Sequence, residues 1–360
     1  MTIAAPPTPR FGFIFDFSAP PWTDSAARWW PALVELAGEV EELGYDTIWS
    51  AEHHFAADAF SASPLLMLGP LAQTTRRVRL GTYVLLMPLH HPLRVAEECV
   101  AIDIFTGGRL ELGLGIGFRQ EELDAFGVTR AARAGLLEES IEILRQSWQP
   151  LSSGHEGRHF RFGPLEVTPK PVQPDIPLWL AARAEVPARR AGRVGAHLHL
   201  LGGRTIRDAF EAELVEAGHR PQDHRVSVFK PFFVAEDPAA ELDRHRREFE
   251  YFTSRHAGWV GANRDVAYDE QIQQAWGNTG DPLSGMSFLH GTPADCLQQL
   301  RALYRRKPFT DLIAPITPPY DLDGVRRSIR LFADEVMAPF KAEVASHAGM
   351  QIDDRQELPS

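Results

Sequence analysis

Short apolar runs alternate with helical periodicities eight times along this chain of 360 residues. The clearest unit is GTYVLLMPLHHPLRVAEECVAIDIFTGGRLELGLGIGF, residues 81–118. It predicts a strand, a helix that begins at Pro92 and ends at Gly107-Gly108, and a second strand from Arg109. This alternation is typical of parallel sheets whose strands are joined by crossover helices. The other strands are predicted at 11–17, 45–51, 177–182, 196–201, 225–235 and 309–316.

The eightfold alternation predicts the α/β fold class and, within it, a (β/α)8 TIM barrel. One domain is expected over 10–345, with frayed tails at 1–9 and 346–360. A β-hairpin insertion is expected near 154–174, and a lid-like insertion near 257–289, where clean periodicity is missing. The alternative is a doubly wound sheet with a second domain from about residue 150.

Composition excludes several classes of protein. The net charge of −11 argues against a general nucleic-acid binder, which needs a basic surface. Cys99 and Cys296 both lie in helical patterns, which indicates buried thiols in an intracellular enzyme. The N-terminus lacks a signal-peptide pattern, and the chain lacks a run of about 18 apolar residues that could span a membrane. A cytoplasmic protein is therefore expected.

Polar side chains that follow the predicted strands should lie together at the carboxyl ends of the strands, which form the mouth of the barrel. Active sites in such barrels lie at this end. Adjacent His53 and His54 point to opposite sides of an extended segment, so they cannot share one metal ion. His197 and His199 point the same way, but no matching carboxylate set follows them. We therefore expect no metal site, with a metallohydrolase as a minor alternative. His53 is interpreted as a general base or substrate hydrogen-bonder, or otherwise as a structural histidine.

A second pair of histidines precedes a proline. Pro92 suits the first turn of a helix, and it pushes His91 into an extended conformation. The pattern favours a rigid helix entry at His90-His91-Pro92 over a catalytic role.

A glycine run follows the fourth strand, at Gly113, Gly115 and Gly117. It is not the dinucleotide fingerprint, because Phe118 stands where a third glycine is needed. Glycines allow a backbone to approach a neighbour closely. One interpretation is a bound flat ring or phosphate that the backbone approaches. The other is close packing at a crowded corner of the barrel.

Arg183 lies where the fifth strand meets a helix. A helix N-terminus offers free N–H groups and a positive dipole end to an anion, and an arginine adds a fork-shaped contact to phosphate. The alternative is a surface arginine that pairs with Glu185.

Several segments together resemble the bacterial luciferase-like flavin-dependent monooxygenase family, over nearly the whole length. These segments are GYDTIWSAEHHF (44–55), RVRLGTYVLLMPLHHPLRVAEECVAIDIFTGGRLELGLGIGF (77–118), EELDAFGV (121–128), IPLWLAAR (176–183), HGTPADCLQQL (290–300) and FADEVMAPF (332–340). The resemblance implies reduced FMN at the barrel mouth, usually supplied by a separate reductase. It also implies a flavin C4a-peroxide, formed with O2, that oxidises an aldehyde, a ketone or a similar small organic substrate. Relatives are commonly homodimers.

The resemblance also assigns roles to residues. His53 falls on the family's active-site histidine, and Tyr83-Val84 falls on a cis peptide under the flavin ring. Ile116 replaces an arginine that helps to bind the flavin phosphate in many members. The remaining cofactor-binding candidates are Gly115, Gly117, Phe118, Arg183, Ala184 and Glu185. The apolar pocket candidates are Phe15, Phe17, Trp49 and Trp276.

The departure at Ile116 leaves the cofactor open. Some relatives use the deazaflavin coenzyme F-420, which transfers hydride and forms no peroxide. A deazaflavin-dependent hydride-transfer oxidoreductase is therefore one alternative. A non-catalytic flavin-binding barrel subunit is the other.

Overall fold

A computed structural model of the chain describes residues 8–23, 25–150, 154–241, 251, 255, 259, 289–306, 308–316 and 321–346. The tails expected at 1–9 and 346–360 fall largely outside these ranges, as does most of the insertion expected near 257–289. A single domain over 10–345 stays a prediction.

Eight parallel strands close into a barrel, which confirms the predicted (β/α)8 fold. The strands in chain order are β1 (Arg10–Phe15), β2 (Thr47–Ser50), β3 (Arg79–Thr82), β4 (Leu85–Leu86), β5 (Leu110–Gly115), β6 (His155–Glu156), β7 (Arg161–Phe162), β8 (Leu178–Ala182), β9 (His197–Leu200), β10 (Val226–Phe229), β11 (Phe232–Val234), β12 (Leu289–Gly291) and β13 (Asp311–Ile316). The barrel order is β3-β2-β1-β13-β10-β9-β8-β5, and β3 pairs with β5 to close it. The closing register joins Leu80 to Leu110 and Gly81 to Glu111. An open doubly wound sheet is thereby excluded.

Helices follow the barrel strands and cover the outside of the barrel. They are α1 (Ala26–Glu42), α2 (Pro64–Thr74), α3 (Pro92–Thr106), α4 (Gln120–Ala125), α5 (Arg133–Trp148), α6 (Glu185–Arg193), α7 (Arg204–Glu216), α8 (Pro293–Arg306), α9 (Leu322–Phe332) and α10 (Ala338–Ala345). A π-helical turn, Ala333–Met337, joins the last two. The helix signals of the clearest unit hold, since Pro92 begins α3 and Gly107 ends it with a φ of 66°. Cys99 and Cys296 are both free and buried, as predicted.

The hairpin insertion is confirmed. Strands β6 and β7 pair antiparallel, with His155 opposite Phe162, and they stand apart from the barrel sheet.

The strand predicted over 225–235 is two strands. Only β10 belongs to the barrel, and the chain leaves the sheet at Lys230-Pro231. Proline has no N–H to donate, so it cannot continue a ladder in the middle of a sheet. Strand β11 pairs instead with β12, outside the barrel.

Alternation along β1 separates two apolar layers. Phe11, Phe13 and Phe15 belong to the large core cluster that the strands share with the helices. Ile14 belongs to a smaller cluster with Trp49, inside the barrel. Successive strand residues face opposite sides, so the parity of a position decides which layer it joins.

Charged residues fill the barrel at the amino ends of its strands. Arg10 lies 2.6 Å from Glu111 and 2.6 Å from Asp311. Arg79 also pairs with Glu111, whose second oxygen accepts the Trp179 indole N–H at 2.7 Å. Burial acts to raise the pKa of Glu111, but the two guanidiniums hold it at about 2. We call this buried charge network the floor of the barrel.

Candidate active site at the mouth of the barrel

His53 follows β2 at the carboxyl end of the barrel, and its ring is fixed by a carboxylate. Nδ1 lies 3.0 Å from Oε1 of Glu122, on α4. The same oxygen accepts the backbone N–H of His54 at 2.9 Å and the Arg119 guanidinium at 2.8 Å. Because an ionised carboxylate only accepts hydrogen bonds, Nδ1 carries the proton and Nε2 is the basic nitrogen.

The surroundings keep His53 neutral. Burial lowers its pKa below the ordinary value for histidine, while the Glu122 carboxylate opposes this shift. The Arg119 and Arg255 guanidiniums lower the pKa further. His53 is thus suited to accept a hydrogen bond or a proton near neutral pH.

Aromatic rings enclose His53. Ring centroids lie 4.4 Å away at Trp259, 5.2 Å at Phe60 and 5.7 Å at Phe118. The Arg119 guanidinium lies 4.9 Å from the centroid of the Trp259 ring, within cation–π distance. An apolar enclosure of this kind reduces the access of water to the basic nitrogen.

A buried arginine connects two loops at the mouth. Arg255 contacts Asp16 at 2.6 Å and Asp58 at 2.9 Å, so it joins the segments after β1 and β2. Tyr251 donates to the same Asp58 oxygen at 2.7 Å. The Arg255 guanidinium also lies 5.3 Å from the Trp259 ring.

His54 points away from His53, as the alternation of an extended segment predicts. Its Nε2 lies 2.7 Å from Glu52 Oε1. The same oxygen lies 2.7 Å from Nε2 of His90. His91 is extended before Pro92, as predicted, and its side chain also caps α3. His90 is more than a helix entry, because it contacts the buried Glu52 carboxylate.

The peptide bond between Tyr83 and Val84 is cis, as the resemblance implies. Two of the predicted glycines pack closely against this segment. A Cβ at Gly113 would lie 2.0 Å from the Thr82 carbonyl oxygen, and one at Gly115 would lie 2.5 Å from a Val84 methyl. These two positions therefore match the crowded corner of a barrel. Gly117 has a φ of 71°, which favours glycine at the turn after the strand.

Arg183 lies beside the first turn of α6. Its guanidinium is 5.7 Å from the Phe118 ring. Burial raises the pKa of Tyr83, and the Arg183 charge acts in the opposite direction, which places Arg183 near that hydroxyl. Ala184 is the N-cap of α6 and has no polar side chain to bond the first N–H groups. An anion can therefore be held here by α6 and Arg183 together.

The predicted apolar pocket residues lie in different places. Phe15 and Phe17 are fully buried between the strands and the helices, and Phe17 packs edge-on against Trp30. Trp49 lies inside the barrel, 6.2 Å from the Tyr83 ring. Trp276 falls outside the described residues. The described rings beside His53 are those of Phe60, Phe118 and Trp259.

Glu122 is not among the site residues predicted from the sequence, although it lies in the segment EELDAFGV (121–128). The available signal was a glutamate three residues after Arg119, at the start of a short helix that follows a barrel strand. The sequence does not mark Phe60 and Trp259 as site residues, because aromatic residues are common in protein cores.

The chain is similar to known proteins over most of its length. The sequence pattern of the family described as luciferase-like monooxygenase matches residues 10–311. The chain belongs to this family. One relative is 4-hydroxyprotoasukamycin monooxygenase of Streptomyces nodosus subsp. asukaensis, which is 35% identical over 340 residues, or 86% of this chain and 87% of that protein. The resemblance inferred from the quoted segments is confirmed, and the chain is an enzyme.

Solved structures of luciferase-like proteins share the barrel. One is the oxygenating constituent of 3,6-diketocamphane monooxygenase from Pseudomonas putida, a complex with FMN, with a TM-score of 0.77 and 19% identity over 92% of this chain and 98% of that one. Another is the coenzyme F420-dependent tetrahydromethanopterin reductase of Methanopyrus kandleri, with a TM-score of 0.70 and 18% identity over 92% and 99%. At these identities the likeness concerns the fold.

Ile116 directly follows β5 in this luciferase-like chain, where the resemblance leads us to expect an arginine. The Ile116 side chain packs against the core cluster and supplies no charge. Within the described residues, every helix is too short or too polar to cross a bilayer.

Proposed function

We propose that this chain is the oxygenase of a two-component flavin system. It binds reduced FMN at the barrel mouth and, with O2, oxidises an aldehyde, a ketone or a similar small organic substrate. The observation that carries the proposal is His53, a neutral histidine fixed by Glu122 inside an aromatic enclosure. Bound reduced FMN would supply the electrons that activate O2 and would hold the activated oxygen for transfer.

The donor set around α6 suits the phosphate of FMN. Arg183 supplies a fixed positive charge, and Ala184 leaves the first N–H groups of α6 without a side-chain cap. The backbone N–H groups of Phe118 and Glu185 would complete the phosphate site. These groups take the place of the arginine that Ile116 replaces.

Tyr83, Val84 and Gly115 would hold the isoalloxazine ring. His53 would then face the substrate beside the ring, where its Nε2 can accept a hydrogen bond or a proton. The enclosure would exclude water from the reacting oxygen.

Two sources of support come from relatives. A monooxygenase is 35% identical over most of the chain, and a protein of the same fold is described as the oxygenating constituent of its enzyme, in complex with FMN. A separate flavin reductase as partner, a homodimer and a cytoplasmic location stay predictions.

Anaerobic titration with reduced flavins tests the phosphate site. Arg183→Gln should weaken the binding of reduced FMN at least about tenfold, because a hydrogen bond to a charged group contributes about 1.5–3 kcal/mol. The binding of reduced riboflavin, which lacks the phosphate, should hardly change. Arg193→Gln, at the exposed last turn of α6, is the matched control and should bind both flavins as the wild type does.

Substrate oxidation is tested with photoreduced FMN and a panel of aldehydes and ketones under labelled O2. The label should appear in the product, and His53→Asn should lower its yield. Absence of labelled product with every compound, together with unchanged flavin oxidation in His53→Asn, would identify a non-catalytic flavin-binding subunit.

A second candidate is F-420-dependent hydride transfer. Ile116 favours it, because the expected phosphate-binding arginine is missing there, and a protein of the same fold uses that coenzyme. Tighter binding of F-420 than of FMN in the same titration would replace the first proposal with this one.

A further inference from the structure

A second cluster lies behind His53, and the proposed flavin chemistry does not use it. Glu52 and His54 follow β2, and His90 precedes α3. Their ligand atoms all lie within 4.8 Å of one another. Glu52 is fully buried, His54 is nearly so, and the His90 side chain is 28% exposed.

The three donor atoms converge on one point. Glu52 Oε1 lies 2.7 Å from Nε2 of both His54 and His90. The other carboxylate oxygen accepts the backbone N–H of Leu86 at 2.6 Å, which fixes the orientation of the carboxylate. With metal–ligand bonds of about 2.1 Å in tetrahedral geometry, neighbouring donors lie roughly 3.4 Å apart. Small rotations of the two imidazoles would therefore open the cluster enough for an ion.

Charge also favours a cation here. The Glu52 carboxylate brings a negative charge to the cluster, and the Nε2 atoms of His54 and His90 each lie 2.7 Å from it. Arg119 bonds the His54 carbonyl oxygen at 2.6 Å, but Glu122 and Glu121 both pair with its guanidinium.

We propose that Glu52, His54 and His90 form a binding site for a divalent transition-metal cation. Two imidazole nitrogens and one carboxylate oxygen are a donor set that Zn²⁺ and Fe²⁺ accept, with further positions open to water. The partly exposed ring of His90 gives the ion a path from solvent. Since only three protein ligands are offered, a fourth position is left to water.

The site is coupled to His53 through one carboxylate. Glu122 Oε1 accepts both the His53 ring and the backbone N–H of His54. A cation that draws the His54 imidazole towards it shifts the segment that carries His53. Metal binding would then lower turnover, and this consequence, unlike the binding itself, rests on the proposed function.

Zinc titration of the tag-free, chelator-treated full chain, without flavin, tests the site. We expect one equivalent to bind. His90→Ala should weaken this binding at least about tenfold, since loss of even an outer-sphere partner costs 10–100-fold in metal affinity. His91→Ala is the matched control, because His91 is the exposed neighbour, caps α3 and packs against Phe160, away from Glu52. It should bind zinc as the wild type does.

Cobalt gives a second readout, visible absorption, that is independent of the zinc titration. Co²⁺ should produce visible absorption bands in the wild type and in His91→Ala, and zinc should displace it. Circular dichroism and the melting temperature establish that His90→Ala is folded, and Glu52→Gln provides a second variant that should lose the bands. Equal zinc affinity in His90→Ala and wild type, or no binding at millimolar zinc, would overturn the proposal. Neither outcome affects the FMN titration, so failure of this site and failure of the proposed function are distinguishable.

Discussion

His53 and Glu122 act as a unit at the scale of single residues. The carboxylate fixes the protonated nitrogen and leaves the other one basic, while burial keeps the ring neutral. The same carboxylate also bonds the backbone of His54 and the side chain of Arg119. Its loss should therefore change both the protonation behaviour and the orientation of His53.

Glu122→Gln should lower the pKa of His53, because the carboxylate is the group that raises it against burial. The Nδ1 proton would also lose its charged acceptor, so the tautomer preference should weaken. Substrate oxidation should fall at least about tenfold, since general acid–base catalysis contributes about 10²–10⁴-fold. Nitrogen NMR of His53 across pH measures the first two effects.

Glu121→Gln is the matched control. Glu121 is the neighbouring, mostly exposed carboxylate and pairs with the same Arg119 at 3.0 Å. It should leave the titration of His53 unchanged. Identical His53 titrations in both variants and the wild type would contradict the role given to Glu122.

Close packing between β5 and β3 is the feature that matters at the scale of elements. Gly113 lies against the Thr82 carbonyl oxygen, and the Thr82 hydroxyl donates to the Gly113 carbonyl oxygen at 2.7 Å. This contact is part of the closure of the barrel, and it places the Tyr83-Val84 peptide at the mouth. A side chain at residue 113 has no room, because the blocking atom is backbone.

Gly113→Ala should destabilise the fold by about 1–3 kcal/mol or more, the usual cost of overpacking. Gly69→Ala, in α2 where a Cβ meets nothing within 4 Å, should instead stabilise it by about 0.5–1 kcal/mol through helix propensity. Urea unfolding of both variants measures the difference. If Gly113→Ala leaves the midpoint unchanged or raises it, the close contact at Gly113 is contradicted.

At the scale of the whole molecule, the two ends of the barrel have different roles. The floor holds paired charges that connect strands far apart in sequence, and the mouth holds the candidate active site. His197 begins β9 at the amino end of the barrel, and His199 lies two residues further along the strand. His197 Nδ1 accepts the Arg225 backbone N–H at 3.1 Å, which requires that nitrogen to be unprotonated.

Acid should destabilise the protein through His197. Burial lowers its pKa from 6.5 to about 4, so the unfolded chain binds this proton more readily than the folded one. Its stabilising contribution is complete above pH 6.5 and is lost as the pH falls towards 4. The loss amounts to about 3 kcal/mol at most, at about 1.4 kcal/mol per pKa unit.

His197→Gln should flatten the decline of unfolding free energy between pH 7 and pH 4. His290→Gln, at an exposed histidine, should keep the wild-type slope. Urea unfolding at several pH values measures both, and a wild-type slope in His197→Gln would rule out this source of acid sensitivity.

The sequence by itself determined the barrel, the family and the catalytic candidate. Eightfold alternation predicts strands and helices because side chains repeat every two residues in a strand and about every 3.6 in a helix. Pro92 and Gly107 bound α3 through local backbone geometry. His53 and the cis Tyr83-Val84 peptide were identified by short segments that the family shares.

Tertiary structure decided which groups surround His53. Glu122 lies 69 residues along the chain, and it reaches His53 only because the barrel closes and brings their loops together. The same closure brings His54 and His90 to one oxygen of Glu52. It also places Phe15 and Phe17 in the core that the strands share with the helices. Local sequence patterns do not predict such contacts. The contacts depend on the register between strands that are distant in the sequence, and the amino-acid types alone do not determine that register.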